Sequence, residues 1–461
     1  MENRVIPTLV FLLVLAKIIA ATTTNFSLFG DEAQYWIWSK NFDFGYFSKP
    51  PLLSWFLGAY TYVFGDSFFS LKIFPNIFYF FTSIGVYILC KQLNIDHKLS
   101  LLCSFSFYFM PSVSVSSFLV STDVILIFFW TISMLVFLYI RKNPSILNFI
   151  LLGIMLGLAL LSKYAAVYFF VCLCLVVVLD KKTRDVFSQN AYKVLVFFVV
   201  VILIVTPNIL WNFNNGWITM LHTANNISLK NTNIDILRGL GFLFIQILMI
   251  GPVLFFGFLF VLKKISMDFE NIFLLCFSIP VLIIVFVESV LVRANANWAA
   301  PALVSLLILF IRSFQSKELI SIYLNICLNF VFGVLLFVFI SVNYPHKTFD
   351  RINGVKKFSE ELAAFNKADF LVVNDRLLFS VLAYELRGTK TQISMPYPPG
   401  GKITNHFQLT SNLNNKNNKN FLLIGDVESI SYLLNDYNVN HIKDFDVLFT
   451  NNIVGVYEII F

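Results

Sequence analysis

The sequence predicts a polytopic α-helical membrane protein with a small water-exposed α/β domain at its C-terminus. Three observations carry that expectation. Hydrophobic residues make up 58% of the 461 and charged residues only 13%, whereas soluble domains run near a quarter charged. Apolar runs of roughly 17 to 25 residues recur, each long enough to cross about 30 Å of hydrocarbon as a helix. These runs are continuously apolar rather than alternating, which selects helices over a β-barrel.

The spans are expected near residues 6–22, 71–89, 99–119, 124–140, 146–161, 165–179, 194–211, 240–262, 272–288, 298–311 and 319–342, about eleven in all. The first reads as a retained anchor, because no small-residue cleavage pattern follows it. A membrane catalytic domain is therefore expected over 1–342, with an outer loop at 25–70, and a second domain over 343–461.

Orientation follows from the basic residues. With a cytoplasmic N-terminus, the short inner loops hold Lys91 and Lys98, Arg141 and Lys142, Lys181, Lys182 and Arg184, Lys263 and Lys264, then Arg312 and Lys317. The longer outer loops are poorer, with Lys40 and Lys49 in one and Lys230 and Arg238 in the other, as the positive-inside rule expects. An odd number of spans then places the tail outside. The +7 formal charge is thus a topological signal, and nucleic acid is not an expected partner. Cys90, Cys103, Cys172, Cys174, Cys276 and Cys327 all fall in or beside apolar spans, so no outer disulfide is expected. Cys172 and Cys174 point to different helix faces and read as packing residues.

The outer loop concentrates the chemistry. Asp31 and Glu32 follow the first span, and Trp36 and Trp38 come next, in a segment expected to lie along the outer interface as an amphipathic helix. Pro50 and Pro51 then break helical hydrogen bonding beside Lys49. Helix capping by the two acids and lipid-phosphate contact by Lys49 would explain these residues without catalysis. A further carboxylate, Asp123, falls at the same face between two spans, where it would serve either as an N-cap with Ser121 and Thr122 or as part of a site. Ionisable residues repeated at membrane depth are costly unless used.

Several segments in order resemble a known family: Asp31-Glu32-Ala33-Gln34-Tyr35-Trp36, Gly45-Tyr46-Phe47-Ser48-Lys49-Pro50-Pro51, Gly65-Asp66-Ser67, Asp123, Leu161-Ser162-Lys163-Tyr164, Pro207-Asn208-Ile209-Leu210-Trp211-Asn212 with Gly216-Trp217, and Ala296-Asn297-Trp298-Ala299-Ala300-Pro301. They look like the bacterial GT-C glycosyltransferases, in the branch related to protein O-mannosyltransferases and to the transferase that adds aminoarabinose to lipid A. The resemblance implies a GT-C fold, a polyprenyl-phosphate sugar as donor, and a lipid A, other envelope glycolipid or protein acceptor. It also implies a multi-pass location in the bacterial inner membrane, with the active site and C-terminal domain periplasmic. It maps the catalytic acids to Asp31, with Glu32 beside it, and Asp123, and a donor-phosphate contact to Lys49. Ser48 stands where the lipid A branch has an acidic residue, so no metal ligands are assigned. No cofactor is assigned with certainty, and a divalent metal stays open.

The residue types suit that chemistry. A lipid-phosphate sugar carries its own leaving group, so transfer needs a base for the acceptor hydroxyl and positive charge for the departing phosphate. Asp31 fits the base; for an ionised phosphate acceptor it would instead orient the acceptor or stabilise developing charge on the sugar. Arg293 is a second phosphate-binding candidate, with interfacial anchoring as its other reading. Tyr35, Lys163, Tyr164, Asn297 and Trp298 are candidate cavity residues, among which Lys163 is an intramembrane lysine. Lys17 is expected to snorkel or pair internally, and His222 has no clustered partner that would suggest a metal.

From about residue 343 the apolar runs shorten. Strands are expected at 369–374, 421–425 and 453–461 and helices at 377–386 and 427–434, with loops at 412–420 and around Pro396, Pro398, Pro399, Gly400 and Gly401. The rival readings are a transporter or flippase of lipid-linked sugars and a noncatalytic assembly protein. The acids sit in outer loops and the sequence has no repeated halves, which favours the transferase.

Overall fold

The computed structural model describes residues 2–226, 234–314, 319–365, 370–398, 400–413, 420–450 and 452–460. Lys230, Lys317, Pro399, the ends of two expected strands at Asp369 and Phe461, and most of the expected 412–420 loop lie outside the described residues. By contact the chain divides into two units, one of Met1–Lys17, Lys49–Leu53 and Leu71–Leu336 and the other of Ile18–Ser48, Ser54–Ser70 and Phe337–Phe461.

The first unit is helical. Among the described residues of the whole chain, seven helices are long and apolar enough to cross a membrane: Arg4–Thr23, Phe68–Gln92, Thr122–Lys142, Ala191–Asn214, Phe269–Leu291, Ala296–Ser313 and Leu319–Ser341. Two bent pairs, Tyr164–Leu179 with Lys181–Gln189 at 106° and Ile236–Ile250 with Pro252–Val261 at 100°, raise the number to nine if each is one span. Ile146–Ser162 is a shorter apolar helix. Prolines explain two interruptions. The expected 99–119 span divides into His97–Phe109 and Pro111–Ser116, and the 240–262 span turns at Pro252, where the missing N–H ends the helical ladder.

Backbone proximity sets one close helix contact of the bundle. In the Ile146–Ser162 helix, a Cβ at Gly153 would lie 2.9 Å from the Phe197 carbonyl oxygen, and one at Gly157 2.9 Å from Ile204. The four-residue glycine spacing thus lets this helix lie directly on Ala191–Asn214, as small residues do between membrane helices. Elsewhere aromatic rings fill the space: Trp130 meets Phe169 at 5.1 Å, and Phe169 meets Phe277 at 4.9 Å. Lys17 is paired internally, its Nζ donating to Asn76 Oδ1 at 2.9 Å and Ser117 Oγ at 2.7 Å.

The second unit is built on a five-stranded sheet with order β2-β1-β3-β5-β4. The strands are β1 Phe370–Val373, β2 Gln392–Ser394, β3 Phe421–Ile424, β4 Asn438–Val447 and β5 Asn452–Ile460. β1 runs parallel to β2 and β3, and β5 pairs antiparallel with β3 and β4. Phe370, Val372, Phe421, Leu423, Ile430 and Ile459 form its core. β2 and β4 were not expected from the sequence. β2 has three residues, and most of β4 is solvent-exposed and polar, as suits sheet edges.

The Gly30–Lys40 helix packs on the Arg376–Glu385 helix so closely that a Cβ on Gly30 would meet Leu377 at 2.8 Å. Its aromatics face protein, not the exposed surface expected of an interfacial helix. Trp36 sits edge-on to Tyr384 at 5.2 Å, and Trp38 stacks on Tyr46 at 4.7 Å and 4°. The exposed apolar side chains of the 25–70 loop are instead Phe42, Phe44, Tyr62, Val63, Phe64 and Phe69.

His406 completes the Trp38–Tyr46 stack, its ring 5.3 Å from Trp38 and only 7% exposed. Burial pushes its pKa down to about 4. A histidine depressed in the folded state contributes stability above its unfolded pKa near 6.5, and this is lost as pH falls toward 4. We expect the apparent Tm of the purified chain to drop across that window by the equivalent of up to about 3 kcal/mol. His406→Phe, which keeps a ring and removes the titration, should flatten the drop in a thermal scan at pH 7, 6, 5 and 4.5. An unchanged slope would exclude His406 as its source.

Candidate functional site

In the first unit, two segments from elsewhere in the chain converge on Asp123. It lies in the first turn of the Thr122–Lys142 helix, 8% exposed in its side chain. Lys163, where the Ile146–Ser162 helix ends in an extended residue, donates to Asp123 Oδ1 at 2.6 Å. Asn297, in the Ala296–Ala299 turn, donates its Nδ2 to Asp123 Oδ2 at 2.7 Å. Both carboxylate oxygens are therefore engaged, and the lysine, 13% exposed, has the counter-charge that burial demands. Asp123 and Asn297 also line a cavity of about 800 Å³ whose remaining walls are mostly apolar, including Met110, Leu248, Leu303 and Phe332.

Next to Lys163, the Tyr164 hydroxyl donates to Asn208 Oδ1 at 2.8 Å and accepts from Asn212 Nδ2 at 3.3 Å. The Ala191–Asn214 helix presents both asparagines on one face, at spacing four. Trp298 follows Asn297, half-buried. Arg293 is exposed in the loop after the Ile279–Leu291 helix. Lys49 is half-buried in the turn before the Leu52–Phe64 helix.

In the second unit, Asp31 and Glu32 separate in role although adjacent in sequence. Glu32, 2% exposed, accepts the Phe29 N–H at Oε2, 3.0 Å, and so caps the Gly30–Lys40 helix. Asp31 is 46% exposed in its side chain, and Arg376 Nη1 lies 3.3 Å from its Oδ1 and 2.5 Å from Gln34 Oε1. Tyr35 is buried edge-on to Trp38 at 5.5 Å. The far end of this helix is held by Asp66, which accepts from Trp36 Nε1 at 3.1 Å and Lys40 Nζ at 2.8 Å. Burial works against the Asp66 charge. The hydrogen bonds from Lys40 and Trp36 and the charges of Lys40 and Arg387 outweigh it and hold this carboxyl below its usual range.

Sequence reasoning missed Arg376, and Asn208 and Asn212 were noted only as part of a motif. Arg376 stands 345 positions from Asp31, so no local spacing signals the pair. Among the described residues no group of three or more His, Cys, Asp or Glu is placed to hold a metal ion.

The Asp123–Lys163 contact has a testable energetic consequence. Lys163→Met leaves a buried carboxylate short of its counter-charge, at a cost of about 3–5 kcal/mol. We expect a marked fall in thermal stability of the purified variant and partial recovery in Lys163→Met/Asp123→Asn. Equal stability of parent, single and double variants would remove the pair's structural role.

Comparisons with known proteins bear on this geometry. The family described as dolichyl-phosphate-mannose-protein mannosyltransferase matches residues 48–211. The lipid A galacturonosyltransferase RgtD of Rhizobium johnstonii is 28% identical over 392 residues, 81% of this chain and 80% of that protein. Crystal structures of ArnT from Cupriavidus metallidurans, apo and bound to undecaprenyl phosphate, superpose with TM-scores of 0.68 and 0.69 at 11% and 12% identity, covering 99% of this chain and 98% of theirs. The ArnT likeness fixes the fold, a polytopic helical GT-C type with a small C-terminal sheet domain, and the sequence matches make the chain an enzyme similar to glycosyltransferases.

Proposed function

We propose that this enzyme moves a sugar from a polyprenyl-phosphate carrier to lipid A or a closely similar envelope glycolipid, at the periplasmic face of the bacterial inner membrane. The observation that carries this reading is a charged and hydrogen-bonded carboxylate, Asp123, set in the wall of an otherwise largely apolar cavity of about 800 Å³. Such a wall suits a substrate with a long hydrocarbon chain and a polar head. The relative that acts on lipid A supplies the acceptor, and the undecaprenyl phosphate bound to ArnT supplies the carrier class.

In the reaction we assign, an acceptor oxygen attacks the anomeric carbon as the bond from that carbon to the phosphate oxygen breaks. The leaving polyprenyl phosphate takes the electron pair. Asp31 accepts the proton of a hydroxyl acceptor, or orients an acceptor that is already an ionised phosphate. Lys49 receives the departing phosphate, and Arg293 is a second cation for it. Glu32 keeps the helix start in place, Tyr35 packs against Trp38, and Asp123 and Asn297 give the cavity its polar wall, with Lys163 holding Asp123 and with Tyr164 and Trp298 as neighbouring residues of the same polar patch. A flippase would move the same lipid without changing it.

Purified enzyme with a synthetic polyprenyl-phosphate sugar and lipid A decides between these readings. A mass increment of one sugar on lipid A is expected, whereas transbilayer movement of the donor without that increment would support the flippase. Asp31→Asn can still serve a helix N-terminus but lacks basicity, so transfer to a hydroxyl should fall by at least about two orders of magnitude. Lys49→Gln should raise the donor KM about tenfold or more, with partial recovery in Lys49→Arg. Full transfer by Asp31→Asn would end its assignment as base.

The orientation has its own check, in a background without the native cysteines. A cysteine at the exposed position Lys390 should react with an impermeant reagent outside intact spheroplasts, and one at the exposed position Lys182 should not. The reverse pattern would invert the topology and remove the periplasmic assignment.

A further inference from the structure

We infer that the second unit carries a carbohydrate-binding cleft at the carboxyl ends of β1 and β3, formed by Asn374, Asp375, Asp426, Arg351, Phe449 and Tyr457, which holds the sugar headgroup of the acceptor. The inference rests on the transferase reading for its biological ligand, but the cleft is argued from its own geometry.

The position comes from topology. In the order β2-β1-β3-β5-β4, the chain leaves β1 toward β2 and leaves β3 toward the opposite edge. The loops after these neighbouring parallel strands therefore diverge, and the crevice between them is where open α/β sheets take ligands. A cavity of about 600 Å³ lies there, within the range of about 300–1,000 Å³ usual for small-ligand sites.

The lining has the chemistry of polyol recognition. Each strand delivers an aspartate that caps the following helical segment. Asp375 Oδ1 accepts from Leu378 N at 2.7 Å, and Asp426 Oδ1 accepts from Glu428 N at 3.0 Å. Neither uses its second oxygen on a protein donor among the described residues, and both aspartates are exposed. An ionised carboxylate only accepts, and hydroxyl groups are its natural donors. Arg351 adds donors from another wall, and its guanidinium lies 6.0 Å from the Phe29 ring. Tyr457, half-buried, offers apolar ring surface for the C–H face of a pyranose, and the largely buried Phe449 contributes to the wall. Gly425, at φ +124°, keeps the floor open, because a Cβ there would overlap the Asn374 amide. The acids outnumber the one arginine, which disfavours a bare phosphate. The carboxylates also do not gather into a group able to hold a metal ion.

The full chain in nanodiscs, titrated with an unphosphorylated β-1,6-linked glucosamine disaccharide, should show saturation transfer to the sugar ring protons. Asp375→Asn/Asp426→Asn keeps both caps, since asparagine caps as well as aspartate, yet it should weaken that binding at least about tenfold. Arg351→Gln, away from either cap, should weaken it as well. In turnover, the double variant should raise the KM for the acceptor and leave the KM for the donor unchanged. Absence of saturation transfer, undiminished binding by both variants, or binding abolished by a chelator would overturn the cleft. Failure of the transferase reading shows differently, as sugar binding by a parent chain that transfers nothing.

Discussion

A carboxylate enclosed by apolar helices is tolerable only when its charge is answered, and Asp123 is the place where this chain meets that demand. Lys163 and Asn297 come from two other segments, so satisfying one side chain fixes three helix ends relative to one another. Exchanging the pair for apolar residues would commonly cost little stability, so its retention points to use of the polar group. The neighbouring Tyr164–Asn208–Asn212 contacts extend the polar patch along the Ala191–Asn214 helix. Close glycine contacts hold that helix against the segment ending in Lys163. The helical frame and the polar site thus meet at one requirement, that a buried charge be paired where water is absent.

The frame was legible because composition and run length encode it directly. Each expected span coincides largely with described helix, and breaks fall at Pro111, at Pro252 and just before Pro280, where a missing donor interrupts a run that hydropathy alone joins. Strands β1, β3 and β5 were legible as apolar stretches. β2 and β4 were not, since a short or polar edge strand gains its hydrogen bonds from a neighbour rather than from its own pattern. The aromatic run Tyr35, Trp36 and Trp38 read as an interfacial signature. Its rings are buried against Tyr384, Tyr46 and His406, partners that lie far along the chain or across a turn and leave no mark on local periodicity.

Candidate site residues divided along the same line. Asp31, Asp123, Lys163 and Asn297 stood out because a charge or amide beside a membrane span is conspicuous. Their pairing was not legible, because it is fixed by which helix ends meet. Arg376 was invisible for the same reason, since an arginine in a polar domain is ordinary until Asp31 and Gln34 are found beside it.

That contact also explains what the sheet-bearing segment contributes to the first long loop. The Gly30–Lys40 helix has 11 residues, too few to be stable in water on its own. It is held along its length by tertiary contacts: Glu32 caps its start, Arg376 grips Asp31 and Gln34 in its first turns, Trp36 meets Tyr384, and Asp66 ties Trp36 and Lys40 at its end. A lone arginine on a half-exposed acid contributes little stability. Spread over about three turns, however, these contacts fix both the rotation and the tilt of the helix, and with them the direction in which Asp31 presents its carboxylate. The position of a residue in the first loop is therefore set in part by a side chain 345 positions further along the chain.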